Sequence, residues 1–198
     1  MRGILCLVII PLSVGMSFMS KAVWTVFYGY NELNSSIFSL LILSQIPLAI
    51  CSILVNTNQA MTNTRATVTA LVGSLILKFS LNVPFMNLFY KLGFEAYYAT
   101  IWLNILIDGV ESIYLMHKVK EKTNISFKKS VISFVKIVLC TLIMVLGLSI
   151  LNLMIPNYSH SRFISIIYII IYGIMGVCIY FLMAYKSNTI DNIISIFF

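Results

Sequence analysis

Long apolar runs, interrupted by short polar stretches, dominate this chain from end to end. Six of them approach or exceed the roughly 20 residues a helix needs to cross bilayer hydrocarbon: Gly3–Ser20, Ser35–Leu54, Ala66–Tyr90, Glu95–Met116, Val131–Ile155 and Phe163–Ala184. The runs do not show the short alternating segments of a membrane β-barrel, and Gly and Pro are few, so the spans are predicted to be helices. The expected fold is therefore all-α, a polytopic helical membrane protein with about six spans. Pro84 is placed to kink or shorten the third span. The first segment follows Arg2 and could be read as a secretory signal peptide, but Pro11 interrupts it and no small-x-small cleavage site is clear. It is read here as a span. In the tail, residues 185–198, Ile190, Ile193, Ile194 and Phe197 recur at helical spacing. That spacing fits an interfacial helix or a frayed apolar end.

Composition agrees with the pattern and excludes a soluble domain. Apolar residues make up 60% of the chain, charged residues 10%, and the mean hydropathy is +0.99, against about 45–50% apolar and 25% charged in soluble domains. Charge adds an orientation. Lys118, Lys120, Lys122, Lys128 and Lys129 fall in one short connection, 118–130, which predicts that connection to be cytoplasmic. Alternation then places Arg2, Arg65 and Lys186 on the same side and Lys21, Lys91 and Arg162 on the other, with both termini inside. The net charge of +7 reads as membrane topology rather than nucleic-acid binding. The lysine-rich connection can also lie against anionic headgroups, each such residue contributing about 1 kcal/mol near the surface. Location in a bacterial cytoplasmic membrane is expected.

No enzyme signature is present: no H-E-x-x-H helix, nucleophile elbow, P-loop or Gly-rich phosphate loop. Cys6, Cys51, Cys140 and Cys178 each lie in a predicted span without CxxC spacing or nearby His, so a metal site or disulfide framework is not expected and the thiols read as small packing residues. His117 and His160 sit at helix ends on opposite predicted sides. No cofactor is called for. The one pair of neighbouring intramembrane carboxylates is Asp108 with Glu111, at i, i+3 on one helix face. An intramembrane transferase using it lacks a second acidic or metal-binding cluster.

The candidate chemistry is a polar stripe on the third and fourth spans: Lys78 and Asn82 on one, Asn104, Asp108 and Glu111 on the other. A charge at bilayer mid-depth costs about 2.5–3.5 kcal/mol on insertion scales and therefore faces a partner or a wet cavity. At about 1.5 Å per residue, Lys78 lies roughly 18 Å from the cytoplasmic end of its span, Asn104 about 20 Å and Asp108 about 13 Å from the end of theirs. Lys78 can thus reach either. Two readings follow, a structural tie between antiparallel neighbours or the lining of a polar cavity for a charged substrate or coupling ion. Lys136, one turn into the fifth span, is expected to snorkel to the interface.

These residues carry a family resemblance. VGSLILKFSLN at Val72–Asn82, followed by KLGFEAYYATIWLNIL at Lys91–Leu106, resembles paired helices of bacterial polysaccharide-export flippases. IIPLSVGMSFMSKAVWTVFYG, with Pro11, Gly15 and Gly29, is similar to the opening helix of their second half, and SILVNTNQAMTNTRATVTALV, with Gln59, to the helix and turn that follow. The superfamily includes multidrug and toxin extrusion carriers, lipid II flippases and stage V sporulation protein B-like proteins. The chain departs from the usual glycines with Ala60–Met61 after Gln59 and with Phe94–Glu95–Ala96–Tyr97 after Gly93. The resemblance implies one lobe of a two-lobe transporter that flips lipid-linked polysaccharide precursors by alternating access. It also implies membrane lipids, a lipid-linked sugar and a second lobe, from a separate chain or a homodimer, as partners, with no nucleic acid. The rival readings are a six-span substrate-binding subunit of a vitamin importer, on size alone, and a drug or cation extrusion lobe.

Overall fold

A computed structural model describes residues 2–123, 128–154 and 161–187, and every regular element among them is a helix. In chain order these are α1 (Arg2–Phe18), α2 (Ser20–Tyr28), α3 (Glu32–Ala60), α4 (Thr64–Lys91), α5 (Ala96–Thr123), α6 (Lys128–Met154) and α7 (Arg162–Lys186). Five, α3 to α7, contain stretches long and apolar enough to cross a membrane, and the bent pair α1–α2 makes a sixth if it is one broken span. Large apolar side chains such as Val68, Leu75, Phe79 and Val83 on α4 point outward, the arrangement hydrocarbon selects. The protein is an all-α polytopic membrane protein.

Two features differ from a plain reading of the apolar runs. α2 stands between the first two predicted spans, meeting α1 at a 70° bend around Met19. The backbone bonds Met19 N–H to Gly15 and Val23 N–H to Met19 carry across the bend, and Gly29, at φ +87°, ends α2. Neither Pro47 nor Pro84 divides its helix: α3 and α4 continue through them. The lysines 118, 120 and 122 belong to the last turns of α5 rather than to a loop. The tail beyond Ser187, His160 and residues 124–127 of the lysine-rich connection lie outside the described residues.

The chain divides into two compact units, Met1–Leu43 with Lys128–Phe198, and Ser44–Phe127. In the first, α1 and α7 pack on α6 and α2 packs on α7. Cys140, Met144 and Leu148 of α6 meet Tyr172, Tyr180 and Ala184 of α7 in its core. Small residues set the spacing: a Cβ on Gly147 would lie 2.9 Å from Ile179 Cδ1, and one on Gly176 would lie 3.5 Å from Leu148 Cδ1. Polar ties complete it. Tyr180 donates to the Leu7 carbonyl at 2.8 Å, and Lys136 reaches the Ser187 carbonyl at 3.3 Å, placing a cation at the C-terminal end of α7.

In the second unit, α4 and α5 form an antiparallel hairpin. Its turn is a Schellman cap in which Gly93, at φ +81°, donates to Tyr90 and Phe94 donates to Phe89. The rings of Phe94 and Phe89 lie 6.0 Å apart, supplying the apolar contact that accompanies this cap. The α3–α4 connection repeats the geometry, with Thr62 donating to Gln59 and Asn63 to Asn58. Here the left-handed position is occupied by Thr62, at φ +57°, a conformation that costs a β-branched residue energy glycine would not lose. Ala66 and Ala70 give α4 a small-residue face, and Leu115 and Val119 of α5 are fully buried.

Candidate functional site

The small face of α4 continues at every fourth residue, Ala66, Ala70, Ser74, Lys78 and Asn82, and its later positions are polar. Because α4 and α5 run antiparallel, each rung meets a defined position on α5. Lys78 Nζ lies 2.7 Å from Asp108 Oδ1, so of the two residues within its reach the lysine takes the carboxylate. Both sit at the middle of their helices, where lipid would be least hospitable to an unpaired charge. Asp108 is buried, whereas the Lys78 side chain remains about one-third exposed. The pair therefore forms on the rim of the helix contact.

One turn towards the Gly93 cap, Thr100 donates to Asn82 Oδ1 at 3.1 Å. Asn104, half-buried, occupies the rung between these two contacts on the same face of α5. Towards the other end Glu111 is 7% exposed, and its Oε1 is buried without a hydrogen-bond partner among the described residues. The Cys51 thiol of α3 lies beside the Glu111 carboxyl, and Asp108 and Lys78 are close enough to act on it electrostatically. Ser112 donates to the Asp108 carbonyl at 2.7 Å, so that its hydroxyl is satisfied within α5.

The five residues singled out from sequence thus fall on one continuous seam within a single unit. They do not make one hydrogen-bonded network. Lys78 and Asp108 join directly, Asn82 pairs with Thr100, and Glu111 faces Cys51. Sequence reading passed over Thr100, although it extends the Asn104–Asp108 stripe by one turn. It also passed over Cys51, which comes from a different helix and carries no spacing signal. Asn58, fully buried, is a third such residue: its amide donates to the Leu54 carbonyl at 3.0 Å and the Leu115 carbonyl at 3.3 Å and accepts from Asn63 at 3.1 Å. It ties α3, α5 and the start of α4 together.

No protein-family model matches the chain, and neither a curated protein nor a solved structure does. The seam must be judged on its own chemistry. Among the described residues no group of three or more His, Cys, Asp and Glu stands together as a cation site. What the seam provides is an ammonium group with residual exposure, two carboxyls of which one is incompletely satisfied, and amide and hydroxyl groups at neighbouring depths. Such a stripe can bind and pass a polar or charged group through an apolar surround.

Proposed function

We propose that the chain is a lobe of a membrane transporter whose α4–α5 seam lines the path of a charged amphiphile. The observation that carries the reading is Glu111. A structural tie between two helices needs one cation and one anion, and Lys78 with Asp108 supplies both. Glu111 adds a second carboxyl beside the Cys51 thiol, a weak donor, with its Oε1 buried and without a partner among the described residues, and leaving such an oxygen short costs about 1–3 kcal/mol. Intramembrane ionisable groups beyond those needed for neutralisation mark substrate or ion pathways.

The finer reading rests on the resemblance to polysaccharide-export flippases. The substrate would be a lipid-linked sugar, its anionic pyrophosphate drawn to Lys78, and movement would follow from rocking this lobe against a second one. The chain would then reside in the bacterial cytoplasmic membrane and act with a partner lobe or a second copy rather than as an enzyme. The test is reconstitution into vesicles with the lobe that copurifies, scored for transfer of a fluorescent lipid-linked sugar. Transport is expected from the assembled protein and not from a preparation shown to remain monomeric. Transport by that monomer would overturn the two-lobe reading. Tight binding of a vitamin with no sugar-lipid transfer would replace it with the importer subunit.

A further inference from the structure

A second polar feature lies away from the seam, at the paired ends of α4 and α5. An open groove of about 450 Å³ is lined by Asn63, Arg65 and Thr69 from the start of α4 and by Tyr114, Lys118, Glu121 and Lys122 from the end of α5. Three cations therefore share it with one carboxylate. Their commitments differ. Lys118 pairs with Glu121 at 2.8 Å and stands 5.9 Å over the Tyr114 ring. Lys122 reaches the Met61 carbonyl at the end of α3, and Glu121 is also 3.3 Å from His117 Nδ1. The Arg65 carbonyl accepts from the Thr69 hydroxyl at 2.8 Å, but its guanidinium has no carboxylate or hydrogen-bond partner among the described residues and carries the planar fork that matches phosphate oxygens.

Depth decides which phosphate the groove meets. Arg65 precedes Lys78 by about 20 Å of helix at 1.5 Å per residue, and half the hydrocarbon thickness is about 15 Å. With Lys78 at mid-helix, the groove lies just beyond the hydrocarbon edge, at the level of lipid headgroups. The α4 N-terminus adds to it. Asn63 donates its Nδ2 to Asn58 Oδ1 and its side chain makes no cap to the helix, so the first-turn N–H groups and the positive end of the helix dipole favour an anion there.

We propose that this groove binds the phosphate of an anionic phospholipid headgroup, with Arg65 as the principal donor and Lys118 and Lys122 as flanking cations. The site is separate from the seam and does not depend on what the seam transports. Its consequence is mechanical: a lipid held there would bridge the start of α4 and the end of α5, the two helices that carry Lys78 and Asp108.

The test uses the full chain, delipidated in maltoside micelles and titrated in turn with phosphatidylglycerol, phosphatidylcholine and inorganic phosphate. Bound equivalents are read by native mass spectrometry. Phosphatidylglycerol should bind saturably, and Arg65→Gln should weaken it about tenfold, as expected for loss of a charge-assisted contact. Lys120→Gln removes the same charge outside the groove and should change binding less than twofold. Should Arg65→Gln fail to fold, Arg65→Lys keeps the charge but loses the fork and should weaken binding severalfold. Equal loss from Lys120→Gln would reduce the effect to general surface charge and overturn the site, as would unchanged binding in both Arg65 variants. Phosphatidylcholine binding as tightly as phosphatidylglycerol, or displacement of the lipid by millimolar inorganic phosphate, would overturn the assignment to an anionic headgroup.

Discussion

Two antiparallel helix pairs in this protein solve the same physical problem with different emphasis. Between helices already surrounded by hydrocarbon there is no hydrophobic drive to associate, so contact must come from close packing or from polar groups. The α6–α7 pair relies mainly on packing: Gly147 and Gly176 leave room for Ile179, Leu148 and Met144, and Cys140, Met144 and Leu148 bury against Tyr172 and Tyr180. Its polar contacts, Tyr168 OH to Asn152 Oδ1 at 3.2 Å and Lys136 to the Ser187 carbonyl at 3.3 Å, lie towards the helix ends. The α4–α5 pair uses an ion pair at 2.7 Å and an Asn–Thr hydrogen bond at 3.1 Å in addition to its small face. Each pair also contains one buried atom without a partner among the described residues, Tyr172 OH in the first and Glu111 Oε1 in the second. An unpaired buried hydroxyl costs about 1–3 kcal/mol, and an ionised carboxyl costs more. The contrast marks α4–α5 as the pair whose mid-helix polarity exceeds what helix association needs, which is why the proposed path is placed there.

The largest effect is expected from breaking the polar pair on one side only. Lys78→Met or Asp108→Leu strands the remaining charge, and each should lower stability by about 3–5 kcal/mol, read as a fall in the thermal unfolding midpoint of the purified protein. The double variant strands nothing and should recover stability. If the pair is only a tie, the double variant should also recover transport in the assembled transporter. If Lys78 serves the substrate, it should fold and remain inactive. Full recovery of transport would remove the cavity role from Lys78.

Next in size is overpacking of the apolar pair. Gly147→Val places atoms where Ile179 Cδ1 already lies 2.9 Å from an added Cβ, and cores of this kind lose about 1–3 kcal/mol to such insertions. Gly73 of α4 meets nothing within 4 Å of an added Cβ, so Gly73→Ala should be tolerated. Equal destabilisation by both variants, measured in the same detergent, would contradict the reading that Gly147, unlike Gly73, sits at a close approach.

A smaller effect, of opposite sign, is expected where the chain enters α4. Thr62 occupies a left-handed conformation that disfavours L-residues by roughly 1–2 kcal/mol, and Thr62→Gly should raise stability by about 1 kcal/mol once the added freedom of the unfolded glycine is deducted. Chemical unfolding checks it. A loss would mean that the Thr62 hydroxyl, 3.4 Å from Lys122 Nζ, contributes more than the backbone strain.

The smallest expected effect comes from comparing the two unpartnered atoms. Tyr172→Phe deletes an unsatisfied hydroxyl and should be neutral or stabilising by up to about 1 kcal/mol, with transport unchanged. Glu111→Gln keeps the shape of its side chain and should leave the fold intact while reducing transport. Indistinguishable behaviour in the two assays would show that Glu111 is ordinary packing.

The apolar runs alone determined that this is an all-helical polytopic membrane protein, because hydrocarbon tolerates few backbone solutions and twenty-residue apolar stretches leave little choice. Sequence also marked the seam: ionisable residues in such stretches are conspicuous, and helical periodicity placed Asn104, Asp108 and Glu111 on one stripe. It could not choose between Asn104 and Asp108 as the partner of Lys78, since both lie within a lysine's reach. The register of α4 against α5, in which Ala70 clusters with Leu115 and Lys78 meets Asp108, decided for Asp108. Nor could sequence bring Cys51 to Glu111, set Asn58 on the Leu115 carbonyl, or collect Arg65, Lys118 and Lys122 around one groove. Those contacts join residues distant in the chain, and long-range proximity is a property of packing, not of periodicity. The bend at Met19 belongs with them: its flanking segments are both helical by pattern, and only their packing on α6 and α7 settles where the chain turns.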